Sequence, residues 1–328
     1  MSYYIIIDAG TTNLRVSLLD ESWQLLTQTG DEAGVRHTAI DGHNGRLRAA
    51  VKACVQKVMD RYQIAPNDVC ACVAYGMITS NVGLLEIPHL AAPAGPAEFH
   101  DGMVTHEFSD LLPFPVTFIP GLKNTVGQAT LEQLCDLDMM RGEETEAIGL
   151  WASLHPQQDV MLILPGSHNK FISVSRDGSL RGCMTSISGE LLDALTHHTV
   201  LSDSLENAFA SEQDYDSTLM LAGAAACDAG LGRSAFLVRI MRTLGNYTAR
   251  DARNFLLGAV MRMDLEALEH FSLFSPEQPL YIASKPPLGL ALLDLLHAHG
   301  YEASLLDEPL RKSMGFLGVK TIWTAGSD

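Results

Sequence analysis

Residues 5–16 read IIIDAGTTNLRV, and this stretch decides the fold. An apolar run rich in isoleucine ends on an acid, a short Gly/Thr/Asn turn follows, and a second apolar run continues to Leu19. Asp20 and Glu21 mark the next turn, after which residues 23–26, WQLL, are typical of a third strand. Consecutive strands joined by short polar turns predict an antiparallel meander at the start of the chain.

The first turn carries groups that suit a phosphate and a metal ion. Backbone N–H groups of a glycine-containing turn, with two threonine hydroxyls beside them, can converge on a phosphate. Asp8, at the end of the first strand, suits a hydrated Mg²⁺, which binds a few carboxylates and several waters. The motif alone does not establish a nucleotide site, because Asp-x-Gly-Thr also fits an ordinary turn at a strand end.

A second copy of the motif lies in the other half of the chain. Residues 161–174 read MLILPGSHNKFISV, and Gly166 aligns with Gly10, so that the turns GSHN and GTTN coincide. A repeat with a period near half the chain indicates two similar domains, and 328 residues suit about two domains. We therefore predict an α/β protein with domains at 1–147 and 148–328, each built on a mixed sheet flanked by helices.

Composition and charge restrict the partners. A formal net charge of −17 disfavours nucleic acid, whose binding depends on Lys and Arg neutralising phosphates. An anionic substrate must then meet a local positive cluster, for which Arg141 and Lys170 are candidates. The start of the chain lacks a signal segment and no stretch approaches the ~20 apolar residues of a membrane span. We expect a cytoplasmic protein with no membrane partner, whose six cysteines are buried free thiols without metal-site spacing.

Two further segments carry candidate substrate groups. A predicted buried strand at 69–75 runs into the polar loop 76–83, GMITSNVG, where open α/β sheets place ligands. Ser80 and Asn81 are our candidates for contacts to substrate hydroxyls, although the loop also fits a plain strand-to-helix connection. A predicted helix opens near residue 143 with several acids, which either serve chemistry or only stabilise the helix start.

Taken together, the two meanders resemble the actin/hexokinase/Hsp70 ATPase superfamily, in which two turns clamp the nucleotide phosphates from opposite sides of a cleft between ribonuclease-H-like domains. Within it, several blocks are similar to the 2-dehydro-3-deoxygalactonokinase family. The most specific are RGEE and PGSHNK, and the full set is DAGTTNLR at 8–15, GMITSNVG at 76–83, MRGEET at 140–145, LPGSHNK at 164–170 and SGEL at 188–191. The resemblance implies an ATP- and Mg²⁺-dependent kinase that phosphorylates the terminal C6 hydroxyl of 2-dehydro-3-deoxygalactonate in sugar-acid catabolism.

The resemblance also implies roles for individual residues. Asp8 would hold Mg²⁺ through water, and Lys170 would offset charge developing on the transferring phosphoryl group. Glu143 would be the catalytic base, with Glu144 next, because related carbohydrate kinases open the equivalent helix with a carboxylate. Arg141 is our own candidate for the substrate carboxylate, which its guanidinium fork matches. The remaining expected contacts are Gly10, Thr11, Thr12, Asn13, Gly166, Ser167 and His168 to the phosphates, Ser284 to the nucleoside, and Ser80, Asn81 and Glu144 to the sugar acid.

The chain departs from the family pattern in places that bear on ligand binding. Ala9 stands where the family usually has tryptophan, which would leave space in the cleft. Residues 284–287, SKPP, replace a glycine-containing turn against which adenosine packs, and they are bulkier and stiffer. Three interpretations stay open: a sugar-acid kinase, a divergent kinase or phosphohydrolase of the same fold, and a non-catalytic ligand-binding paralogue. A homodimer also stays open.

Overall fold

The structure, a computed structural model, describes residues 2–124 and 129–327, and its contacts form two compact units. The first unit comprises Met1–His155, Asp177–Gly182 and Lys312–Asp328, and the second comprises Pro156–Arg176 and Cys183–Arg311. These ranges differ from the expected division between residues 147 and 148, chiefly because the end of the chain belongs with the first unit.

The first unit contains a six-stranded sheet of order β3-β2-β1-β4-β7-β6 and a three-stranded sheet of order β5-β8-β9. The first three strands form the expected antiparallel meander, and β4 lies parallel to β1. The strands are β1 (Tyr3–Ala9), β2 (Leu14–Leu19), β3 (Leu25–Asp31), β4 (Val69–Gly76), β5 (Leu90–Ala91), β6 (Val104–His106), β7 (Val116–Phe118), β8 (Leu122–Lys123) and β9 (Met139–Met140). The helices are α1 (Arg36–Asp41), α2 (Gly45–Tyr62), α3 (Pro96–Asp101) and α4 (Glu143–Leu154).

Side chains along β1 alternate between the apolar core of the first unit and the opposite face of the sheet, on which Asp8 lies. Ile5, Ile7 and Ala9 are fully buried in one core cluster together with the apolar stripe of α2. Because neighbouring strand residues point to opposite faces, Asp8 lies on the other face of the sheet. The expectation that Ala9 leaves space in a ligand cleft is therefore wrong, since its methyl group belongs to the core.

The third strand begins later than the sequence suggests. Trp23 has a positive φ of 62°, and its ring stacks on Tyr4 with the centroids 4.0 Å apart. β3 starts only at Leu25, because a residue in the left-handed region cannot continue an extended strand.

The second unit repeats the arrangement of the first. Its five-stranded sheet has the order β12-β11-β10-β13-β14, and β10 pairs antiparallel with β11 and parallel with β13, as β1 does with β2 and β4. The predicted repeat of two similar α/β halves is thereby confirmed. The strands are β10 (Val160–Leu164), β11 (Asn169–Val174), β12 (Leu180–Ser186), β13 (Leu280–Ile282) and β14 (Ala303–Leu305). The helices are α5 (Ser188–His197), α6 (Ser202–Leu205), α7 (Ser217–Ala226), α8 (Leu231–Thr243), α9 (Ala249–Glu269), α10 (Leu288–Ala298) and α11 (Glu308–Thr324), the last of which runs into the residue range of the first unit.

Two glycines let α11 pack closely on α4 within the first unit. A Cβ at Gly149 would overlap the carbonyl oxygen of Met314, and a Cβ at Gly318 would overlap that of Thr145. The two helix backbones therefore touch where they cross, which fixes the end of the chain against the helix that opens with the acidic residues.

Among the helices that the structure describes, none combines the length and the apolar character that a membrane crossing requires.

Replacing Gly149 with alanine should destabilise the protein, because the new methyl group must push α11 away from α4. Overpacking of this kind costs about 2 kcal/mol, measured as a loss in the free energy of unfolding in urea. Gly232→Ala is the matched control, since a Cβ there meets no atom within 4 Å, and it should leave stability unchanged or slightly higher. Equal effects of the two substitutions would contradict the close crossing.

Candidate active site

Three backbone segments converge at one edge of the six-stranded sheet. Gly76, with φ 86°, ends β4, and a Cβ there would lie 2.7 Å from the carbonyl oxygen of Ala9 at the end of β1. Gly142, with φ 121°, precedes α4, and its Cβ would lie 3.2 Å from the Cα of Gly76. The contacts bring the first turn, the polar loop and the acids of α4 to one place.

The first turn has its carbonyl groups bound by protein. The carbonyl oxygens of Gly10, Thr11 and Thr12 accept N–H groups from the segment 34–36 at 3.2, 2.9 and 3.0 Å. That of Asn13 accepts the Gly10 N–H at 2.9 Å. In a trans peptide the N–H points away from the C=O, so the amides of residues 11–13 face away from that segment. Since the side chains of Thr11, Thr12 and Asn13 are exposed, the turn presents donors and hydroxyls to the solvent.

Asp8 sits between an arginine and a tyrosine. Its side chain is 20% exposed, Arg15 Nε lies 3.3 Å from Oδ2, and the Tyr75 hydroxyl donates a hydrogen bond to the carboxylate. Burial raises the pKa of Asp8, and Arg15 and Tyr75 oppose that shift. Within the described ranges 2–124 and 129–327 no cluster of three or more His, Cys, Asp or Glu could hold a metal ion directly. A single oriented carboxylate with an exposed edge fits a hydrated Mg²⁺ that draws its other ligands from water and phosphates.

The acids at the start of α4 differ in burial and in pKa. Both carboxylate oxygens of Glu144 lie 2.8 Å from the backbone nitrogen of Gly142, and the side chain is fully buried. Burial, reinforced by the charge of Glu143, raises the pKa of Glu144 to about 8. Burial and the nearby Asp8 raise the pKa of Glu146 to about 8 as well. Glu143 is half-buried and accepts the Arg141 N–H at 3.2 Å, so it is more accessible than Glu144.

Arg141 is committed to protein acceptors. Its Nη1 donates to the carbonyl oxygen and to the hydroxyl of Thr79, both at 2.6 Å. Its Nη2 donates to the Ile87 carbonyl at 3.0 Å and lies 3.1 Å from Nδ1 of His89. Both terminal nitrogens are therefore in use, and this geometry weighs against the expected pairing of Arg141 with a substrate carboxylate. The guanidinium instead ties the polar loop to the start of α4.

The two loop candidates for the sugar differ in exposure. Ser80 is buried and its hydroxyl donates to the Met77 carbonyl at 2.7 Å, so the loop itself uses this group. Asn81 is exposed. A Cβ at Gly83 would overlap the Ile78 carbonyl, so the loop folds tightly and leaves Asn81 as its outward-facing amide.

The second turn is held against the first residues of α5. The Glu190 N–H donates to the Ser167 carbonyl at 3.1 Å, and a Cβ at Gly189 would overlap the Gly166 carbonyl oxygen. Gly166, Ser167 and His168 are exposed, and His168 Nε2 lies 3.0 Å from Oε1 of Glu190. As in the first turn, carbonyl groups face protein and the amides that follow them face away.

Lys170 and Ser284 are both buried in the second unit. Lys170 lies on β11 and its Nζ donates to the Thr185 hydroxyl at 2.6 Å. Ser284 follows β13, and its hydroxyl makes a long contact, 3.3 Å, to the Lys285 carbonyl. A Cβ at Gly289 would lie 3.3 Å from the Ser284 Cβ, so the start of α10 packs directly on this turn.

Sequence reasoning missed Tyr75 and Asp264. Tyr75 is the neighbour of Asp8 in the parallel register of β1 and β4, and the shared end of two adjacent strands was a usable signal. Asp264 follows the mostly apolar run at residues 255–263 of α9, and it is fully buried and accepts three hydrogen bonds. Cys70 and Cys135 are exposed, unlike the other four cysteines, so the expectation of buried thiols holds only in part.

Two α/β units that each join a strand meander to a glycine turn define the actin-like ATPase class. The family model described as 2-keto-3-deoxy-galactonokinase matches residues 8–317, and the chain belongs to this family. The predicted family of phosphotransferases is thereby confirmed.

Individual relatives agree with this assignment. The 2-dehydro-3-deoxygalactonokinase of Escherichia coli K12 is 28% identical over 273 residues, which cover 82% of this chain and 81% of the relative. A crystal structure from Sinorhizobium meliloti, provisionally named a 2-dehydro-3-deoxygalactonokinase protein, matches with a TM-score of 0.77 at 22% identity over 98% of both chains. The Clostridium difficile activator of 2-hydroxyisocaproyl-CoA dehydratase, solved with ADPNP, matches with a TM-score of 0.50 at 11% identity over 99% of this chain and 96% of its own. These structures confirm the predicted fold.

The stability of the ligand-free protein should fall as the pH rises from about 5 to 8. The folded state keeps a proton on Glu146, whose pKa is raised to about 8, whereas the unfolded state releases it near the ordinary glutamate pKa of 4.5. Stabilisation is therefore complete below the unfolded pKa and is lost as the pH approaches 8, by at most about 1.4 kcal/mol per pH unit for each such group. Glu146→Gln should reduce this slope in urea unfolding series without Mg²⁺ or nucleotide.

The exposed Glu21 provides the control, because Glu21→Gln should leave the slope as in the wild type. A slope that Glu146→Gln does not change would show that Glu146 is already ionised in the folded protein.

Proposed function

We propose that this chain transfers the γ-phosphoryl group of ATP to the C6 hydroxyl of 2-dehydro-3-deoxygalactonate, with Mg²⁺, in the cytoplasm. The observation that carries the proposal is the family match over residues 8–317, which includes every candidate site residue from Asp8 to Ser284. Phosphoryl transfer depends mainly on positioning and charge stabilisation, and the described groups are suited to both tasks.

Each of the two glycine turns is proposed to bind nucleotide phosphate. An anion is repelled by carbonyl oxygens and attracted by N–H groups, and in both turns the carbonyls are turned toward protein. Thr11, Thr12 and Asn13 would contact the phosphates from the first turn, and Gly166, Ser167 and His168 from the second. Support comes from the equivalent positions of the turns in the two repeated sheets.

Asp8 is proposed to hold Mg²⁺ through water. The ion, when bound with ATP, supplies positive charge that neutralises the phosphate oxygens. The Tyr75 hydroxyl and the Arg15 guanidinium fix the orientation of the carboxylate, and Arg15 also limits the local excess of negative charge from the neighbouring acids.

Glu143 is proposed as the base that takes the proton of the C6 hydroxyl. A base must be accessible to the substrate, and Glu143 is half-buried whereas Glu144 is enclosed. Glu144, bound to the Gly142 N–H and with its pKa raised to about 8, is protonated at neutral pH. We therefore assign Glu144 to positioning the first turn of α4, and no longer to the base.

On the sugar-acid side, Asn81 is the exposed group of the polar loop, with Arg141 and Ser80 holding the loop in shape. Lys170 would offset charge on the transferring phosphoryl group, and its ammonium is oriented by Thr185. Ser284 would border the nucleoside, where the neighbouring prolines restrict the turn.

The purified protein should release ADP from ATP only when 2-dehydro-3-deoxygalactonate and Mg²⁺ are both present. A coupled assay measures ADP, and ¹³C NMR of the product should place the phosphate on C6. ADP release without the sugar acid would indicate a phosphohydrolase, and binding of ATP without turnover on any 2-oxo-3-deoxy acid would indicate a non-catalytic protein. Either outcome would contradict the proposal.

Glu143→Gln should lower kcat by about 100-fold or more, since general base catalysis contributes about 10²–10⁴-fold, with little change in the KM for ATP. Glu21→Gln, an exposed substitution in the turn after β2, should retain wild-type kinetics. Near-normal kcat in Glu143→Gln would remove Glu143 from the base role.

A further inference from the structure

A buried carboxylate lies behind the second turn. Asp264, in the last third of α9, has no exposed surface. Its Oδ2 accepts the Asn169 side-chain amide at 2.6 Å, and its Oδ1 accepts the hydroxyls of Ser186 at 2.5 Å and Ser188 at 2.6 Å. Within the part of the chain that the structure describes, Asp264 makes no ion pair, so these three donors alone compensate for its burial.

The carboxylate fixes the orientation of Asn169. A carboxylate only accepts hydrogen bonds, so the NH₂ group of Asn169 must face Asp264 and its Oδ1 must face the other way. That oxygen accepts the Gly166 N–H at 2.9 Å. Two consecutive hydrogen bonds therefore connect the Gly166 N–H through Asn169 to Asp264.

Two serines connect the same carboxylate to the start of α5, the helix that lies against the turn. Ser186 ends β12 and Ser188 begins α5, next to Gly189, which packs on the Gly166 carbonyl. Asp264 is thus bonded to groups on both sides of the second turn: the segment that forms it and the helix start that covers its carbonyls.

We infer that Asp264 is a positioning residue that holds the second turn in the conformation that binds nucleotide phosphate. This inference rests on the proposed function, because it assumes that the turn receives phosphates. It explains why a carboxylate without a cationic partner is kept close to a site for anions: only an acceptor at position 264 orients Asn169 toward the Gly166 N–H.

Asp264→Asn tests the inference with one atom exchanged. The new amide keeps only one acceptor oxygen, so one of the two sets of contacts changes. If its NH₂ faces Asn169, two NH₂ groups meet or Asn169 turns around and leaves the Gly166 N–H facing a donor; if its NH₂ faces Ser186 and Ser188, those hydroxyls lose the acceptor that they share. An unpaired buried donor of this kind costs about 1–3 kcal/mol. We expect Mg²⁺–ADPNP, measured by calorimetry, to bind about tenfold more weakly, and the KM for ATP to rise by a similar factor while the KM for the sugar acid changes little.

Asn169→Asp combined with Asp264→Asn should restore binding. In the double variant the amide at 264 donates to the carboxylate at 169, whose second oxygen accepts the Gly166 N–H, so the original order of donors and acceptors returns. Asn169→Asp alone should be defective, because two carboxylates then face each other. The double-mutant cycle therefore measures the interaction between positions 169 and 264 separately from any general loss of stability.

Asn254→Asp is the matched control. Asn254 lies on the same helix and is equally buried, and it bonds to the Asp214 carbonyl and the Asp216 N–H, away from the turn. This variant should lower the melting temperature without changing the affinity for Mg²⁺–ADPNP. If Asp264→Asn does not fold, Ser188→Ala removes one donor and should weaken nucleotide binding by a smaller factor.

Wild-type nucleotide affinity in Asp264→Asn or, where that variant does not fold, in Ser188→Ala would overturn the inference. Equal loss of affinity in Asn254→Asp or a double variant no better than the single ones would overturn it as well. If the wild type binds Mg²⁺–ADPNP but does not phosphorylate the sugar acid, the proposed function fails while the binding comparison still decides the role of Asp264. A wild type that does not bind Mg²⁺–ADPNP would overturn both.

Discussion

The structure depends on one constraint: the carbonyl oxygens of the two glycine turns must face neighbouring protein segments. A turn attracts a phosphate only if its N–H groups point outward and its carbonyls do not. In the first turn three consecutive carbonyls are bound by the amides of residues 34–36. Residue 34 has to be glycine, because a Cβ there would overlap the Thr11 carbonyl. In the second turn the start of α5 takes the same place, again through a glycine, Gly189.

Several acids lie near the first turn, and they determine the electrostatics of this region. Asp8, Glu143, Glu144 and Glu146 lie in one region of a chain that already carries a net charge of −17. Burial raises the pKa of Glu144 and of Glu146 to about 8, and Arg15 pairs with Asp8, so the number of negative charges in this region near neutral pH is smaller than the number of acids. The same arrangement makes the ligand-free protein less stable as these groups ionise.

The local pattern of the sequence predicted the meanders, the repeat and the turns because each rests on short-range chemistry: β-branched runs, polar turn residues and glycine. It did not predict that the Arg141 guanidinium donates hydrogen bonds to Thr79 and Ile87, since those acceptors lie more than fifty residues away. Asp264 escaped for the same reason, because its partners come from three other elements. Nor did it predict that the end of the chain packs on α4, since the contact between Gly149 and Gly318 joins distant parts of the chain.

Hydrogen exchange resolved to short peptides, with and without Mg²⁺–ADPNP, tests the central claim most directly. If each turn donates its outward amides to nucleotide phosphate, residues 11–13 and residues 167–168 should become protected, while the turn at residues 20–24, at the opposite end of the first meander, should exchange as before. Protection confined to one of the two glycine turns, or absent from both despite measured binding, would contradict the account.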